Sequence, residues 1–209
     1  MDPNQKIIVF YGSQTGNAES IAKDLHKTLL KDGFDSDVFQ MDGWKKMGIA
    51  LEDIRIALFV CSTTGNGEPP ENCARFYRFI KRKTQPNNLL AKMSYAVLGL
   101  GDTNYDKFCA MGKNLDKRLG ELGARRLAPL VCADEGTGAL EEAVEPWLAA
   151  APGLLRAALA ALAAEGGEGK EGIAGKEGGE DQIEEEGWVQ VEAAAGGAGG
   201  LVPAAEASA

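Results

Sequence analysis

Apolar runs of strand length alternate with segments of helical periodicity from the start of the chain to about residue 163. The runs that predict strands are 6–11, Asp37–Met41, Ile54–Cys61, Tyr95–Leu100 and Arg126–Cys132. Between them, apolar residues three and four positions apart predict helices. The predicted helices are Thr15–Asp32, Asn72–Lys83, Phe108–Leu122 and a last one from about Gly138 towards Ala164, which Pro146 is expected to interrupt.

This strict alternation of strand and helix predicts parallel strand pairing, because parallel neighbours need a crossover connection that is usually a helix. The expected fold class is therefore α/β. We expect a five-stranded parallel sheet that is doubly wound, with helices on both of its faces.

The charge of the chain is unevenly distributed. Residues 1–163 contain 20 Lys and Arg against 20 Asp and Glu, whereas residues 164–209 contain 2 against 11, so the formal charge of −9 belongs to the second segment. A balanced first segment lacks the basic face that nucleic-acid binding requires, so no nucleic-acid partner is expected. The Gly-, Ala- and Glu-rich second segment buries too little apolar surface to offset its ordering entropy. We predict a folded domain at 1–163 and a disordered acidic tail or linker at 164–209.

The four cysteines are far apart in sequence, and the chain has one histidine. Their spacing fits neither a metal site nor a redox motif, and reduced thiols in a cytoplasmic protein are the better interpretation. Residues 1–5 are polar and lead directly into the first strand, so no signal peptide is expected. No stretch of transmembrane length is free of charge, so no membrane partner is expected either.

Polar, glycine-rich loops follow the first, third and fourth predicted strands. In an open α/β sheet, ligands bind beyond the carboxyl ends of the strands, where these loops would meet. Ser13–Ala18 opens a helix with small hydroxyl side chains, and such a helix N-terminus favours a phosphate without needing Lys or Arg. Taken singly, the same residues are ordinary helix caps and the glycines ordinary turn residues. Taken together, the loops provide a phosphate site, backbone groups and the aromatic ring of Tyr105, which are the parts needed to hold a planar heterocycle.

The segments Gly12–Ala18, Ser62–Gly67 and Leu98–Tyr105 resemble the three FMN-binding loops of the flavodoxin-like domain found in diflavin reductases. The resemblance covers about residues 6–150 in the right order and implies a flavodoxin-like version of the predicted sheet. Within that family, two kinds of reductase compete. Phe108-Cys109, 116–125 and 144–147 resemble methionine synthase reductase more, whereas 59–61 and 78–83 resemble the cytosolic diflavin reductase that serves iron–sulfur assembly. We rank the first ahead by a small margin.

The resemblance implies a set of cofactor-binding residues. The phosphate would be held by the side chains of Ser13, Thr15 and Asn17 and by the backbone amides from Gln14 to Ala18. The backbone of Gly65 would lie near N5 of the flavin, Tyr105 would stack on its exposed face, and Asp134 would be an acid near the ring. One departure is Thr64, since several relatives carry an aromatic residue on the inner flavin face at this position. The full set is Ser13, Gln14, Thr15, Gly16, Asn17, Ala18, Ser62, Thr63, Thr64, Gly65, Asn66, Gly67, Leu100, Gly101, Asp102, Asn104, Tyr105, Phe108, Cys109 and Asp134.

The resemblance further implies a flavin-dependent oxidoreductase function. FMN would receive electrons from a partner module that binds FAD and NADPH, absent from this chain, and pass them to a protein acceptor such as cobalamin-dependent methionine synthase. The alternatives are the FMN domain of the reductase for iron–sulfur assembly and a flavin-free regulatory module of the same fold. An electron carrier needs no side-chain nucleophile or base, so no catalytic residue is assigned.

Overall fold

A computed structural model describes residues 6–167 together with the pairs 189–190 and 201–202. The strands are β1 (Ile7–Gly12), β2 (Ser36–Gln40), β3 (Ile56–Ser62), β4 (Ser94–Gly101), β5 (Arg125–Arg126), β6 (Val131–Asp134), β7 (Val189–Gln190) and β8 (Leu201–Val202). The helices are α1 (Asn17–Lys31), α2 (Ala74–Ile80), α3 (Ala110–Glu121) and α4 (Leu140–Gly167). Short 3₁₀ helices occur at Met41–Lys46, Leu51–Asp53 and Glu71–Cys73.

The main sheet is parallel, as predicted. Its order is β2-β1-β3-β4, and both β5 and β6 pair with the outer side of β4. β2 and β3 lie on opposite sides of β1, and the connection from β2 to β3 crosses over β1, so the strand order reverses between β1 and β3. This is the position at which an α/β sheet of this order opens a crevice for a ligand.

Side chains of the central strands alternate between two cores, because successive residues of a strand point to opposite faces. Ile8 and Phe10 of β1 lie in one core, and Ile7 and Val9 lie in the other. The first core is packed under α2 and α3 and contains the stacked rings of Phe10 and Phe59, whose centroids are 5.2 Å apart. The second core is packed under α1 and α4. The doubly wound arrangement is thereby confirmed.

The predicted fifth strand, Arg126–Cys132, is wrong as a continuous element. Tyr95 pairs with Arg126 but Leu98 pairs with Val131, so β5 and β6 together accommodate two more residues than β4 does between these pairs. Pro129 lies in the interruption and has no N–H to donate to a ladder. The chain therefore leaves the sheet after β5 and returns to it as β6.

The expected interruption of the last helix at Pro146 is also wrong. The helix α4 continues through both Pro146 and Pro152. A proline inside a helix removes one backbone hydrogen bond, but α4 buries Trp147, Ala151 and Leu155 against the second core. This packing holds the helix together where its backbone pairing is weakened.

The helix α4 is also apolar and long enough, from Leu140 to Ala164, to cross a membrane by length and composition, with a mean hydropathy of 1.5. This helix is not a charge-free stretch of the kind that the sequence analysis considered, because it contains Arg156, the one charged residue between Pro146 and Ala164. One side of the helix is buried in the second core, and the same pattern is typical of a core helix.

The chain divides into two units, Met1–Gly169 and Lys170–Ala209. Within the second unit, β7 and β8 pair antiparallel, with Val189 opposite Val202. The predicted disordered acidic tail was placed at 164–209, of which residues 164–167 belong to the helix α4; apart from these and the pairs of β7 and β8, it lies outside the described residues. It stays a prediction.

Candidate functional site

The loop between β1 and α1 leaves backbone N–H groups pointing at the crevice. Gly16 has a φ of 105°, a left-handed conformation that glycine adopts without strain, and it turns the chain into α1. Its own N–H donates to Ser13 Oγ at 3.0 Å. Among the described residues, the N–H groups of Gln14 and Thr15 in the loop and of Asn17 and Ala18 in the first turn of α1 have no acceptor. Such unpaired donors at a helix N-terminus would suit the phosphate that the sequence predicts here.

Hydrogen bonds fix this loop relative to the neighbouring segments at the carboxyl edge of the sheet. The N–H of Ser13 donates to Asn72 Oδ1 at 2.8 Å, and the N–H of Glu71 donates to Gln14 Oε1 at 3.0 Å. The hydroxyl of Ser62 donates to the carbonyl of Gly12 at 3.2 Å. The first loop is thus joined both to the third strand and to the segment before α2.

The loop after β3 is a tight reversal between Thr64 and Glu68. Each of these residues donates its N–H to the other's carbonyl, at 3.0 and 2.8 Å. The hydroxyl of Thr64 donates to the carbonyl of Glu68 as well, at 3.0 Å. Gly65 begins the reversal with a φ of 47°, and a Cβ there would come within 2.6 Å of Glu68 Oε2. The left-handed backbone conformation therefore disfavours a side chain at Gly65, and the Glu68 carboxylate would have to move to make room for one.

The loop after β4 is supported from below by α3 and from the side by β6. A Cβ on Gly101 would lie 2.5 Å from the N atom of Cys109, so only glycine lets α3 begin this close. Asp102 accepts the N–H of Asn104 at 2.8 Å and so shapes the turn. The ring of Tyr105, at the tip, is 63% exposed, and among the described residues Leu30 is the one other large apolar side chain that is exposed.

The three loops meet around one cavity of about 390 Å³. Eleven of the predicted residues line it: Gln14, Thr15, Asn17, Ser62, Thr63, Thr64, Gly65, Leu100, Gly101, Asp102 and Tyr105. The other predicted residues do not line it: Ser13, Gly16, Ala18, Asn66, Gly67, Asn104, Phe108, Cys109 and Asp134. Most of these shape the lining loops, as Ser13, Gly16 and Cys109 do through the contacts described above.

Two cavity residues, Lys107 and Glu135, are missing from the predicted set. Glu135 accepts a hydrogen bond from Asn17 Nδ2 at 2.8 Å, and its own N–H donates to the carbonyl of Gly101 at 2.8 Å. Glu135 directly follows the predicted Asp134, and the sequence pattern alone could not decide which of the two acids faces the cavity. Nothing in the sequence indicated that Lys107 lines the cavity, apart from its position two residues after Tyr105.

Asp134 instead holds the third loop in place. Its carboxylate accepts both the N–H and the hydroxyl of Thr103, at 3.0 and 2.6 Å, and the N–H of Gly136 at 2.9 Å. The Thr103 hydroxyl is the main cause of a lowered pKa of Asp134, because each of these donors favours the charged form. The loops after β4 and β6 are thereby tied to each other.

The comparison with known proteins agrees with this site. Residues 9–147 match the family model described as flavodoxin. The chain belongs to the flavodoxin family. A solved relative, a single-site mutant of flavodoxin from Pseudomonas aeruginosa, superposes with a TM-score of 0.60 and 32% sequence identity over 72% of this chain and 99% of that one.

Two kinds of curated relative match this flavodoxin domain at similar identity. NADPH-dependent diflavin oxidoreductase 1 of Xenopus laevis is 42% identical over 70% of this chain. Methionine synthase reductase of Bos taurus is 40% identical over 69% of it. The match covers 24% and 20% of these relatives, so the chain spans less than a quarter of their length. The predicted membership in the FMN-binding domains of diflavin reductases is confirmed, and neither reductase is singled out.

The cofactor of this flavodoxin domain is FMN, and the residues present fit it. The unpaired amides of the first loop and the hydroxyl of Thr15 would hold the phosphate, and Gly65, Leu100 and Tyr105 would offer the ring backbone, apolar and aromatic surface. Tyr105 is the one aromatic side chain among the described residues that line the cavity. FMN supplies one- and two-electron redox chemistry, and the protein sets its potentials through hydrogen bonds and charge.

Proposed function

We propose that this flavodoxin domain carries electrons from an NADPH- and FAD-dependent reductase module to a protein acceptor. The observation that supports this most is the exposed Tyr105 ring at the mouth of the three-loop cavity, since the flavin edge beside it would be open to a docking protein. Partners of this kind dock weakly and transiently, so an exposed edge is sufficient.

The first acceptor to test is cobalamin-dependent methionine synthase. The supporting observations are the segments 116–125 and 144–147, together with the 40% identity to methionine synthase reductase. The second acceptor is an iron–sulfur assembly factor. The 42% identity to NADPH-dependent diflavin oxidoreductase 1 and the segments 59–61 and 78–83 favour it. For either acceptor, the proposed location is the cytoplasm, since the four cysteines are all free thiols.

The experiment is a stopped-flow comparison with the FMN-loaded, pre-reduced chain. It is mixed in turn with methionine synthase, with an iron–sulfur assembly factor and with a haem protein as a general electron sink. Fast, saturable reduction of one protein partner, well above the haem rate, identifies the acceptor. Equal and unsaturable rates for all three would contradict a dedicated docking site.

A flavin-free regulatory module of the same fold is the competing function. A purified chain that is yellow, with flavin absorption, excludes it. A chain that stays colourless after incubation with FMN would support it and would contradict the electron-transfer proposal.

A further inference from the structure

Two of the four thiols lie together directly beneath the third cofactor loop. Cys132 of β6 pairs in register with Gly99 of β4, so the two residues face the same side of the sheet on neighbouring strands. A Cβ on Gly99 would lie 3.7 Å from both Cβ and Sγ of Cys109, at the start of α3. The thiol of Cys109 also reaches the carbonyl of Ala133, the residue after Cys132, at 3.8 Å. Cys109 and Cys132 therefore share the neighbours Gly99 and Ala133, which places the two thiols next to each other between the sheet and α3.

Cys109 has a φ of 52° and is the one non-glycine residue with positive φ among those described. A left-handed conformation is costly for such a residue, so the surrounding structure holds Cys109 in place. Its Sγ lies 3.0 Å from the position of a Cβ on Gly101. A movement of Cys109 therefore acts directly on the loop that lines the cavity.

The two thiols have different chemical character. Cys132 is partly exposed, and the neighbouring Cys109 thiol, aided by the charge of Lys113, lowers the pKa of Cys132 to about 7. The neighbouring Cys132 thiol and burial raise the pKa of Cys109, so Cys109 stays protonated. A partly exposed thiolate beside a second thiol is the arrangement that hydroperoxides oxidise to a disulfide.

We propose that Cys109 and Cys132 form a hydroperoxide-oxidisable dithiol whose disulfide weakens FMN binding. This site goes beyond the electron-transfer function, and it rests on FMN binding but not on the identity of the acceptor. A disulfide draws the two sulfur atoms to about 2.05 Å, closer than any non-bonded contact. It thereby pulls the start of α3 away from its position under Gly101.

The oxidation has two balanced steps. The Cys132 thiolate attacks one oxygen of the hydroperoxide, an S–O bond forms, the O–O bond breaks, and the leaving oxygen takes up a proton to give water or an alcohol. The Cys109 sulfur then attacks the sulfenic sulfur of Cys132, the S–O bond breaks, and the hydroxide leaves with the Cys109 proton as water. Two thiols have lost two electrons and two protons, and the peroxide has been reduced.

Cys61 and Cys73 provide an internal comparison. They also lie near each other, since a Cβ on Gly12 would be 3.0 Å from both sulfur atoms, but both are fully buried. The neighbouring Cys73 together with burial raises the pKa of Cys61 well above its usual value. A fully buried thiol with a raised pKa is a poor nucleophile. We expect it to remain reduced when Cys109 and Cys132 are oxidised.

The test treats the full, reduced chain with hydrogen peroxide, blocks the remaining thiols and maps the cross-links by mass spectrometry. The expected product joins the peptides of Cys109 and Cys132, is reversed by dithiothreitol, disappears in Cys132→Ser and persists in the control Cys73→Ala. A link between Cys61 and Cys73 formed equally fast would overturn the site. So would stepwise addition of oxygen to Cys132 without any link.

FMN affinity of the same samples tests the coupling. Oxidised wild type is expected to bind FMN about fivefold or more weakly than the reduced protein, a difference typical of coupled sites. Cys132→Ser treated in the same way is expected to keep its affinity, because Cys132 does not line the cavity. A fully cross-linked protein with unchanged affinity would overturn the coupling, whereas reduced wild type that fails to bind FMN would instead contradict the cofactor assignment.

Discussion

Gly65 is the residue at which the backbone conformation of the cofactor site is most sharply defined. Its φ of 47° disfavours any side chain, and glycine would also let the adjoining peptide reorient towards N5 of the flavin. Gly65→Val is therefore expected to shift the midpoint potentials of bound FMN, measured by spectroelectrochemical titration. Gly48→Val is the matched control, because Gly48 has a similar φ of 75°, has open space around it and does not line the cavity. Unchanged potentials in Gly65→Val would refute the assigned role.

Tyr105 tests the aromatic part of the site. Because its ring is exposed in the absence of a ligand, it gains contact area only when the flavin binds. Tyr105→Ala is expected to weaken FMN binding by about 1 kcal/mol or more, the magnitude of an aromatic stacking contact. Fluorescence titration of the flavin-stripped protein measures the change, and Tyr105→Phe is expected to retain most of the affinity. Equal affinities of wild type and Tyr105→Ala would place the ring outside the site.

At the scale of elements, Asp42 shows how a side chain from one segment begins a helix in another. Its buried carboxylate accepts the N–H of Phe76 at 2.7 Å and the N–H of Arg75 at 3.2 Å, in the first turn of α2. Asp42→Ala is expected to reduce the free energy of unfolding by about 1–2 kcal/mol, as the loss of a helix cap does. Denaturant unfolding monitored by circular dichroism measures it. The control Asp53→Ala removes only an exposed ion pair with Lys92, and it is expected to reduce the free energy of unfolding by less than about 1 kcal/mol. Similar losses of unfolding free energy in both variants would contradict the capping role.

The elements also show which parts of the fold the sequence could predict. β1, β3 and β4 are buried on both faces and read as continuous apolar runs, so their existence and parallel pairing were predictable. The division of the fifth strand and the continuity of α4 were not, because both depend on tertiary context. Pro129 signals a break only when the register against β4 is known, and Pro146 is tolerated only because Trp147 is buried beside it.

The candidate site was also predictable in part, and its remaining details depend on tertiary context. The composition and order of the three loops predicted their convergence, since the carboxyl ends of parallel strands share one edge. The choice between Asp134 and Glu135 depends on how a single loop turns after β6. In the structure, Asp134 accepts a hydrogen bond from the Thr103 hydroxyl, and Glu135 accepts one from the Asn17 side-chain amide.

At the scale of the whole molecule, the distribution of charge around the cavity bears on the proposed acceptor. The rim carries the exposed or partly exposed acids Glu68, Glu71, Asp102, Asp106, Asp134 and Glu135, together with Lys107. Electrostatic steering of an acceptor towards such a rim weakens as salt screens the charges. Electron transfer to the acceptor is therefore expected to slow as ionic strength rises, measured by stopped flow. The variant Glu68→Gln/Glu71→Gln is expected to flatten this dependence, and rates indifferent to salt would contradict charge-guided docking.

The convergence of three loops on one FMN site is the central claim, and nuclear magnetic resonance of the flavin-stripped chain tests it most directly. Amide signals of Gly16, Gly65 and Gly101, one from each loop, are followed as FMN is added. The account predicts that all three change along a single saturation curve that ends at one FMN per chain. Separate curves, or a loop whose signal does not respond to FMN at all, would contradict it.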